Sequence, residues 1–326
     1  MKVLVIGGTL FIGRLLVKEL VKAGHDVTIL HRRAAHDLDP LLKKPIGNLT
    51  ADRNNPEQIR AALAGHKFEV VFDNVYDWER GTTAAQVEAT AMAVGDHIHR
   101  YIFVSSVAAY GEGLNHYEGD GLAGDDHPDL YVRNKAMSER ALFRLHQRYG
   151  LPAVTLRPPY IYGCGNPFPR ETFFWERIRD GRKIIIPGDG RRLMQFAYVN
   201  DLVTAAISAM NTPVAVGHAF NIANPKAITQ VDTVQAFAEA AGKKAVELVK
   251  IPREKMIKAG GHPMGPKLYF GFYFDLPPIT MLVTKAQRML HFKPTPFATG
   301  LKDTYKWWKT QPATTPEYSF EDSVLS

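Results

Sequence analysis

The chain has 326 residues, 45% hydrophobic and 22% charged, with a formal net charge of +7, enough to bury one large core or two unequal ones. Its single cysteine, Cys164, excludes an intrachain disulfide, and no apolar run reaches the ~20 residues of a membrane span. Basic residues fall in scattered pairs such as Arg32-Arg33 and Arg191-Arg192 rather than in one block, so the charge does not demand a nucleic-acid partner.

Residues 2–6 form a short apolar run that suits a buried parallel strand. Because this strand begins at residue 2, no signal peptide is expected and the protein is expected in the cytoplasm. The glycine-rich turn Gly7-Gly-Thr-Leu-Phe-Ile-Gly13 follows, and an amphipathic helix runs from Arg14 to a stop at Gly24. Strand, turn and helix make the first unit of a dinucleotide-binding fold. Gly7 permits the tight turn and Gly13 lets the helix pack close to the strand. The helix N-terminus then offers backbone N–H groups to a pyrophosphate, so Gly7, Thr9, Leu10, Phe11 and Ile12 are the expected cofactor cradle. Leu10 stands where the usual spacing has its middle glycine.

Further along, residues 25–30 read as a second strand, 56–64 as a helix and 68–72 as a strand. A helix over 82–98 leads to a strand at 101–104, and a helix over 131–149 ends at Gly150 before a strand at 153–156. Residues 219–223 are expected to return to the same sheet. This alternation predicts an α/β fold, a doubly wound parallel sheet (Rossmann) with a smaller C-terminal lobe. Residues 1–165 with 196–223 are assigned to the cofactor domain and 166–195 with 224–311 to the substrate lobe. Residues 312–326 carry little periodicity and are expected to be a loosely held tail.

Chemistry concentrates just beyond the strand ends, where ligands bind in such sheets. The strand at 101–104 runs into Ser105-Ser106, and Tyr131 and Lys135 lie four apart, on one face of the helix that follows. A neighbouring ammonium is expected to lower the phenol pKa from about 10. Tyr131 would then move a proton at a substrate oxygen while hydride moves at carbon. Ser106 would bond the same oxygen, and Lys135 would also reach the nicotinamide ribose. A second Tyr-x-x-x-Lys, Tyr305 to Lys309, has no such companion and is read as packing and surface. The histidines show no metal-ligand spacing, and no metal is expected.

Together these elements resemble an extended short-chain dehydrogenase/reductase of the NAD-dependent epimerase/dehydratase type. The resemblance rests on the glycine turn, Ser105-Ser106 with Tyr110-Gly111, Tyr131-x-x-x-Lys135, Leu156-Arg157-Pro158, Pro187-Gly188-Asp189-Gly190 and Phe196-Ala-Tyr-Val-Asn-Asp201. It implies Ser106, Tyr131 and Lys135 as the catalytic set, Asp52 at the adenine, and Arg53, Asn74 and Pro158 among the cofactor contacts. It also implies a homodimer through the helices near 82–98 and 131–149.

For the cofactor, His31, Arg32 and Arg33 replace the acid that usually receives a ribose 2′-hydroxyl, which favours NADP over NAD. On the substrate side Met194-Gln195-Phe196 replaces the Arg-Asp-Phe of nucleotide-sugar enzymes. Tyr160, Arg192 and Gln195 are the expected contacts, and aromatic residues after the strand at 153–156 could stack on a ring substrate. The leading expectation is an NAD(P)-dependent oxidoreductase acting on a carbonyl or secondary alcohol of a small molecule, a ring ketone or a nucleotide sugar. The first alternative is a nucleotide-sugar epimerase or dehydratase with tightly bound NAD. The second is a non-catalytic RNA-binding relative, since Gly-Gly-Thr-x-Phe-Ile-Gly resembles an atypical branch containing chloroplast stem-loop RNA-binding proteins. No aromatic and basic stripe of the kind RNA needs is visible, so nucleic acid is not the expected partner.

Overall fold

The computed structural model describes residues 1–38, 42, 44–262 and 274–326. In its first half the chain runs β1 (Lys2–Ile6), α1 (Phe11–Lys22), β2 (Asp26–His31), β3 (Gly47–Thr50), α2 (Pro56–Leu63), β4 (Val70–Asp73), α3 (Ala84–Ala93), β5 (Arg100–Val104), β6 (Gly113–His116), α4 (Leu130–Tyr149) and β7 (Ala153–Arg157). In the second half come β8 (Tyr160–Tyr162), α5 (Glu171–Arg179), β9 (Ile184–Pro187), β10 (Leu193–Met194), β11 (Phe196–Tyr198), α6 (Val199–Asn211), β12 (His218–Asn221), β13 (Ile228–Thr229) and α7 (Gln230–Ala240). The chain ends with β14 (Leu248–Ile251), α8 (Arg253–Lys258), β15 (Ile279–Met281), α9 (Thr284–Met289), α10 (Phe297–Trp308) and α11 (Ser319–Leu325).

Seven parallel strands form the central sheet in the order β12-β7-β5-β4-β1-β2-β3. Alternation within a strand sends successive side chains to opposite faces. Thus Val3 and Val5 pack with Leu16, Val17 and Leu20 of α1 and with Leu202 and Ala206 of α6. Leu4 and Ile6 face the other way, with Ile59 of α2, Val87 of α3 and Leu142 of α4. The doubly wound parallel sheet is therefore present, with helices on both faces. Winding reverses between β1 and β4, which opens a crevice at the carboxyl ends of those two strands.

A second aromatic core lies over that end: Trp175 and Phe174 of α5, Phe196, Phe237 of α7, Leu301 of α10 and Val324 of α11. Residues 263–273 of the expected substrate lobe lie outside the described residues. Phe196 and Tyr198, read from sequence with the cofactor domain, pack into this second core. Tyr305 packs edge-on against Trp175 at 5.2 Å, which makes the second Tyr-x-x-x-Lys a packing feature.

The expected loose tail is corrected. Residues 319–325 are helical, Val324 is fully buried, and Glu321 pairs with Arg177 of α5. Two ion pairs, Arg177–Glu321 and Arg182–Asp322, and the Val324 anchor hold a segment too short to show periodicity. The helix expected over 82–98 is shorter, because a Thr83–Gln86 capping box starts it and it frays into Gly95 at φ +79°.

Candidate functional site

The glycine turn opens into the crevice. Gly7 has φ +85°, where a side chain would be strained, and its N–H donates to the Leu30 carbonyl at 2.9 Å. A methyl on Gly13 would lie 2.0 Å from the Gly7 carbonyl oxygen, so α1 can start this close to β1 only with glycine there. Leu10 caps α1 with no side-chain hydrogen bond and is 67% exposed, which leaves the first-turn N–H groups to another acceptor. Thr9 and Phe11 flank it half-buried, and Ile12 touches both cores. Beside Gly7, the buried Asn74 Nδ2 has no partner among the described residues. An uncapped helix N-terminus, a glycine cradle and an orphan donor fit the pyrophosphate of a dinucleotide. Gly13→Ala is expected to weaken cofactor binding at least tenfold and to cost about 1–3 kcal/mol from overpacking, read by cofactor titration and urea unfolding.

At the far end of the crevice, burial lowers the His31 pKa, and its ring bonds Asn48 Oδ1 at 2.8 Å. Arg32 and Arg33 are exposed, with Arg32 Nη1 3.4 Å from Asp77. Asp52 is held by Arg80 at 2.8 Å, and that hydrogen bond keeps its carboxyl below the usual range. Arg53 is corrected as a cofactor contact. It turns under the sheet, bonds both carboxylate oxygens of Asp73 at 3.2 and 2.5 Å, and also donates to the Gln86 carbonyl and Thr90. Four hydrogen bonds within the protein engage this side chain, which is only 4% exposed.

The three catalytic candidates do come together. Ser106 follows β5, where its Oγ accepts from the Ala108 N–H at 3.1 Å, and it acts on the Tyr131 phenol to oppose the rise of its pKa. Asp129 caps α4 by accepting from the Tyr131 N–H at 2.8 Å, which fixes the first turn carrying the phenol. One turn on, Lys135 Nζ donates to the Val104 carbonyl at 2.8 Å and lies 5.8 Å from the Tyr131 ring. A buried cluster locks this helix to the sheet. Glu139 accepts from Ser105 Oγ at 2.5 Å, Thr155 Oγ1 at 2.8 Å and Arg157 at 2.8 and 2.9 Å. Pro158 is buried behind the site, its carbonyl accepting from the Val107 N–H at 2.9 Å.

The expected depression of the Tyr131 pKa is also corrected. Burial pushes the phenol up to about 12, with the Ser106 hydrogen bond and the Arg170 charge opposing it. Burial pulls Lys135 down to about 8, against the field of Asp73. Removal from water outweighs the helical neighbour at both groups.

The substrate-side expectations divide. Tyr160 lines the junction half-buried under the Arg170 guanidinium, 5.2 Å from the ring. Arg192 points away to Asp275, donating to its carbonyl at 2.6 Å and sitting 3.2 Å from a carboxylate that Arg253 shares. Gln195 is corrected as a substrate contact. It is 1% exposed, and its amide is used on the Asn224 and Met281 carbonyls and the Met281 N–H. Sequence reasoning missed Tyr76 and Trp78, which stand against the Tyr131 ring at 4.7 and 4.9 Å. Their signal was position, just after β4 at the crevice. It also missed Arg170, whose charge reaches both Tyr131 and Tyr160.

Comparison with known proteins places this geometry. The model of the NAD dependent epimerase/dehydratase family matches residues 3–223. The chain is 30% identical to the chloroplast stem-loop binding protein of 41 kDa b from Arabidopsis thaliana, covering 93% of this chain and 78% of that protein. It is 26% identical to the 2-alkyl-3-oxoalkanoate reductase of Stenotrophomonas maltophilia, over 76% and 78% of the two chains. Among solved structures it is similar in fold to the dTDP-glucose 4,6-dehydratase of Bacillus anthracis in complex with NAD. That likeness has a TM-score of 0.76 at 19% identity, covering 95% and 96% of the chains. The chain belongs to the NAD dependent epimerase/dehydratase family and is an NAD(P)-dependent enzyme of the extended short-chain dehydrogenase/reductase type.

Proposed function

We propose that the protein is a carbonyl reductase or secondary-alcohol dehydrogenase that uses NADP in preference to NAD, with Tyr131 as acid/base. The reading is supported by Ser106 just beyond β5 acting on the Tyr131 phenol, with Lys135 one helical turn away. A bound dihydronicotinamide supplies the hydride for the substrate carbon. Tyr131 stays a neutral phenol through neutral pH because its pKa is raised to about 12. It therefore donates its proton to the carbonyl oxygen as the C=O π bond breaks and the new C–H bond forms. Ser106 holds that oxygen in line. Lys135 and Arg170 supply positive charge beside the phenolate that results.

Arg32 and Arg33, exposed at the end of β2, are the groups that would receive a ribose 2′-phosphate. Asp52 and Arg80 close the adenine end, while the α1 N-terminus and Asn74 hold the pyrophosphate. dTDP-glucose belongs to the structural neighbour and a 3-oxoacid to the reductase relative, as their names say. The Asp275 pairing of Arg192 and the closed Gln195 amide favour an uncharged carbonyl compound. The proposal extends to a cytoplasmic homodimer through α3 and α4, which pack side by side with Met92 exposed.

The test is reduction of a panel of ketones followed by loss of reduced-nicotinamide absorbance. NADPH is expected to outperform NADH, and Arg32→Ala with Arg33→Ala is expected to cut that preference roughly ten- to hundredfold, the worth of lost charged hydrogen bonds. An unchanged preference would remove the arginines from cofactor choice. A protein that oxidises neither cofactor with any ketone would contradict the proposed activity.

A further inference from the structure

Lys135 is buried, and the carboxylates whose field reaches it are taken by arginines. Asp73 accepts from Arg53 at 2.5 and 3.2 Å, and Glu139 accepts from Arg157 at 2.8 Å. Among the described residues Lys135 makes no ion pair, and one of its three N–H groups is spent, on the Val104 carbonyl at 2.8 Å. The rest of the ammonium faces rings. Its Nζ lies 4.7 Å from the centre of the Phe103 ring on β5, 5.4 Å from that of Tyr76 just after β4, and 5.8 Å from that of Tyr131. Within about 6 Å the negative face of an aromatic ring attracts a cation, most strongly where water is absent.

Tyr76 is fixed in that position from two sides. Its ring meets Tyr131 edge-on at 4.7 Å and 90°, and its hydroxyl accepts at 3.3 Å from Nδ2 of Asn134, the residue before Lys135. Burial holds its phenol pKa above the usual tyrosine value, so the ring is neutral at working pH. The turn that follows carries the exposed Trp78 and is pinned at Asp77. The Asp77 carboxylate accepts from the N–H groups of Glu79 and Arg80, both at 3.0 Å, and its carbonyl accepts from the Gly81 N–H at 2.8 Å. A turn this constrained keeps the Tyr76 ring over the lysine.

We propose that Tyr76 and Phe103 complete, with Tyr131, an aromatic cage that keeps the buried Lys135 a cation, which makes Tyr76 a positioning residue of the acid/base set. Its part in catalysis rests on the reading of Tyr131 as the proton donor, because the caged charge then stands beside the phenolate left when the proton moves. The other groups facing Lys135 are Asp73 on β4 and Glu139 on α4, which favour the charge, and Arg53 after β3, which opposes it together with burial. From β5, Tyr101 acts through its hydrogen bond to Asp73 at 2.7 Å.

The test is a carbon-13 NMR titration of lysine Cε in the full chain, with the Lys135 signal assigned by its loss in Lys135→Met. A pH–rate profile of ketone reduction runs beside it. Wild-type Lys135 is expected to titrate at about 8. Tyr76→Leu keeps the site apolar but removes the ring, and its Lys135 is expected to titrate about one pH unit lower. Tyr76→Phe keeps the ring and is expected to titrate with the wild type. Phe103→Leu is expected to move in the same direction as Tyr76→Leu, and takes its place if that variant does not fold. The falling limb of the pH–rate profile is expected to shift with the titration. A Lys135 titration unmoved by loss of the ring overturns the cage. So does a shift in Tyr76→Phe as large as that in Tyr76→Leu, which assigns the effect to the Asn134 hydrogen bond. A titration that moves while the limb stays overturns the positioning role. Where no ketone is reduced the reading of Tyr131 fails, and the NMR titration decides the cage alone.

Discussion

Tyr131→Phe lowers kcat by about 10²–10⁴-fold, the range of a lost general acid, while cofactor affinity stays at the wild-type value. In the proposed mechanism the phenol is, among the described residues, the group that protonates the substrate oxygen together with Ser106, while the glycine turn holds the cofactor. The same geometry sets the pH dependence. Tyr131 is protonated throughout the working range because burial raises its pKa to about 12. Lys135, lowered to about 8 by burial, carries its charge below that value and loses it above. Reduction is therefore expected to be flat near neutrality and to fall as pH rises through about 8. The groups that set this limb are Asp73 and Glu139, which favour the charged lysine, and Arg53, which opposes it. Lys135→Met is expected to be slow throughout and to lack the limb, as a pH–rate profile would reveal.

Arg53→Ala carries the largest expected loss of stability. Asp73 is fully buried and Arg53 is 4% exposed, so neither charge has water to fall back on. Among the described residues, truncating the arginine leaves the carboxylate with the Tyr101 hydroxyl at 2.7 Å as its hydrogen-bond partner. Breaking a buried pair from one side costs about 3–5 kcal/mol. Urea unfolding should register that loss for Arg53→Ala. The double variant Arg53→Ala/Asp73→Ala should recover part of it, because no buried charge is then stranded. Additive losses would mean that the two residues act independently.

Much of this was legible in the sequence because it is local. Alternating apolar runs mark the strands of the central sheet, and Gly7 and Gly13 mark a turn that only glycine permits. The four-residue spacing of Tyr131 and Lys135 fixes their shared face on α4, and Ser106 follows from its place at a strand end. What was not legible depends on direction and solvation. Arg53 sits next to Asp52 in the chain, yet its partner Asp73 lies twenty residues on and inside the fold. Gln195 was placed near the substrate by its neighbours in sequence, whereas its amide closes on Met281, 86 residues away. The pairing of β6 with β15 joins short strands too distant for any periodic signal. The phenol pKa went the other way because spacing gives the lysine but not the desolvation. Trp78 carries no mark of its exposure in the sequence, and only the turn around Asp77 reveals why it stands where it does.

The central claim is that the glycine turn and the Ser106–Tyr131–Lys135 set form one hydride-transfer site. Its most direct measurement is label transfer from NADPH or NADH deuterated at the nicotinamide C4, with the product analysed by mass spectrometry. The wild type should place deuterium on the carbinol carbon of a reduced β-keto ester, and Tyr131→Phe should place almost none. A wild type that binds the cofactor, passes deuterium to no carbonyl, and holds stem-loop RNA as tightly as Tyr131→Phe does would contradict the account.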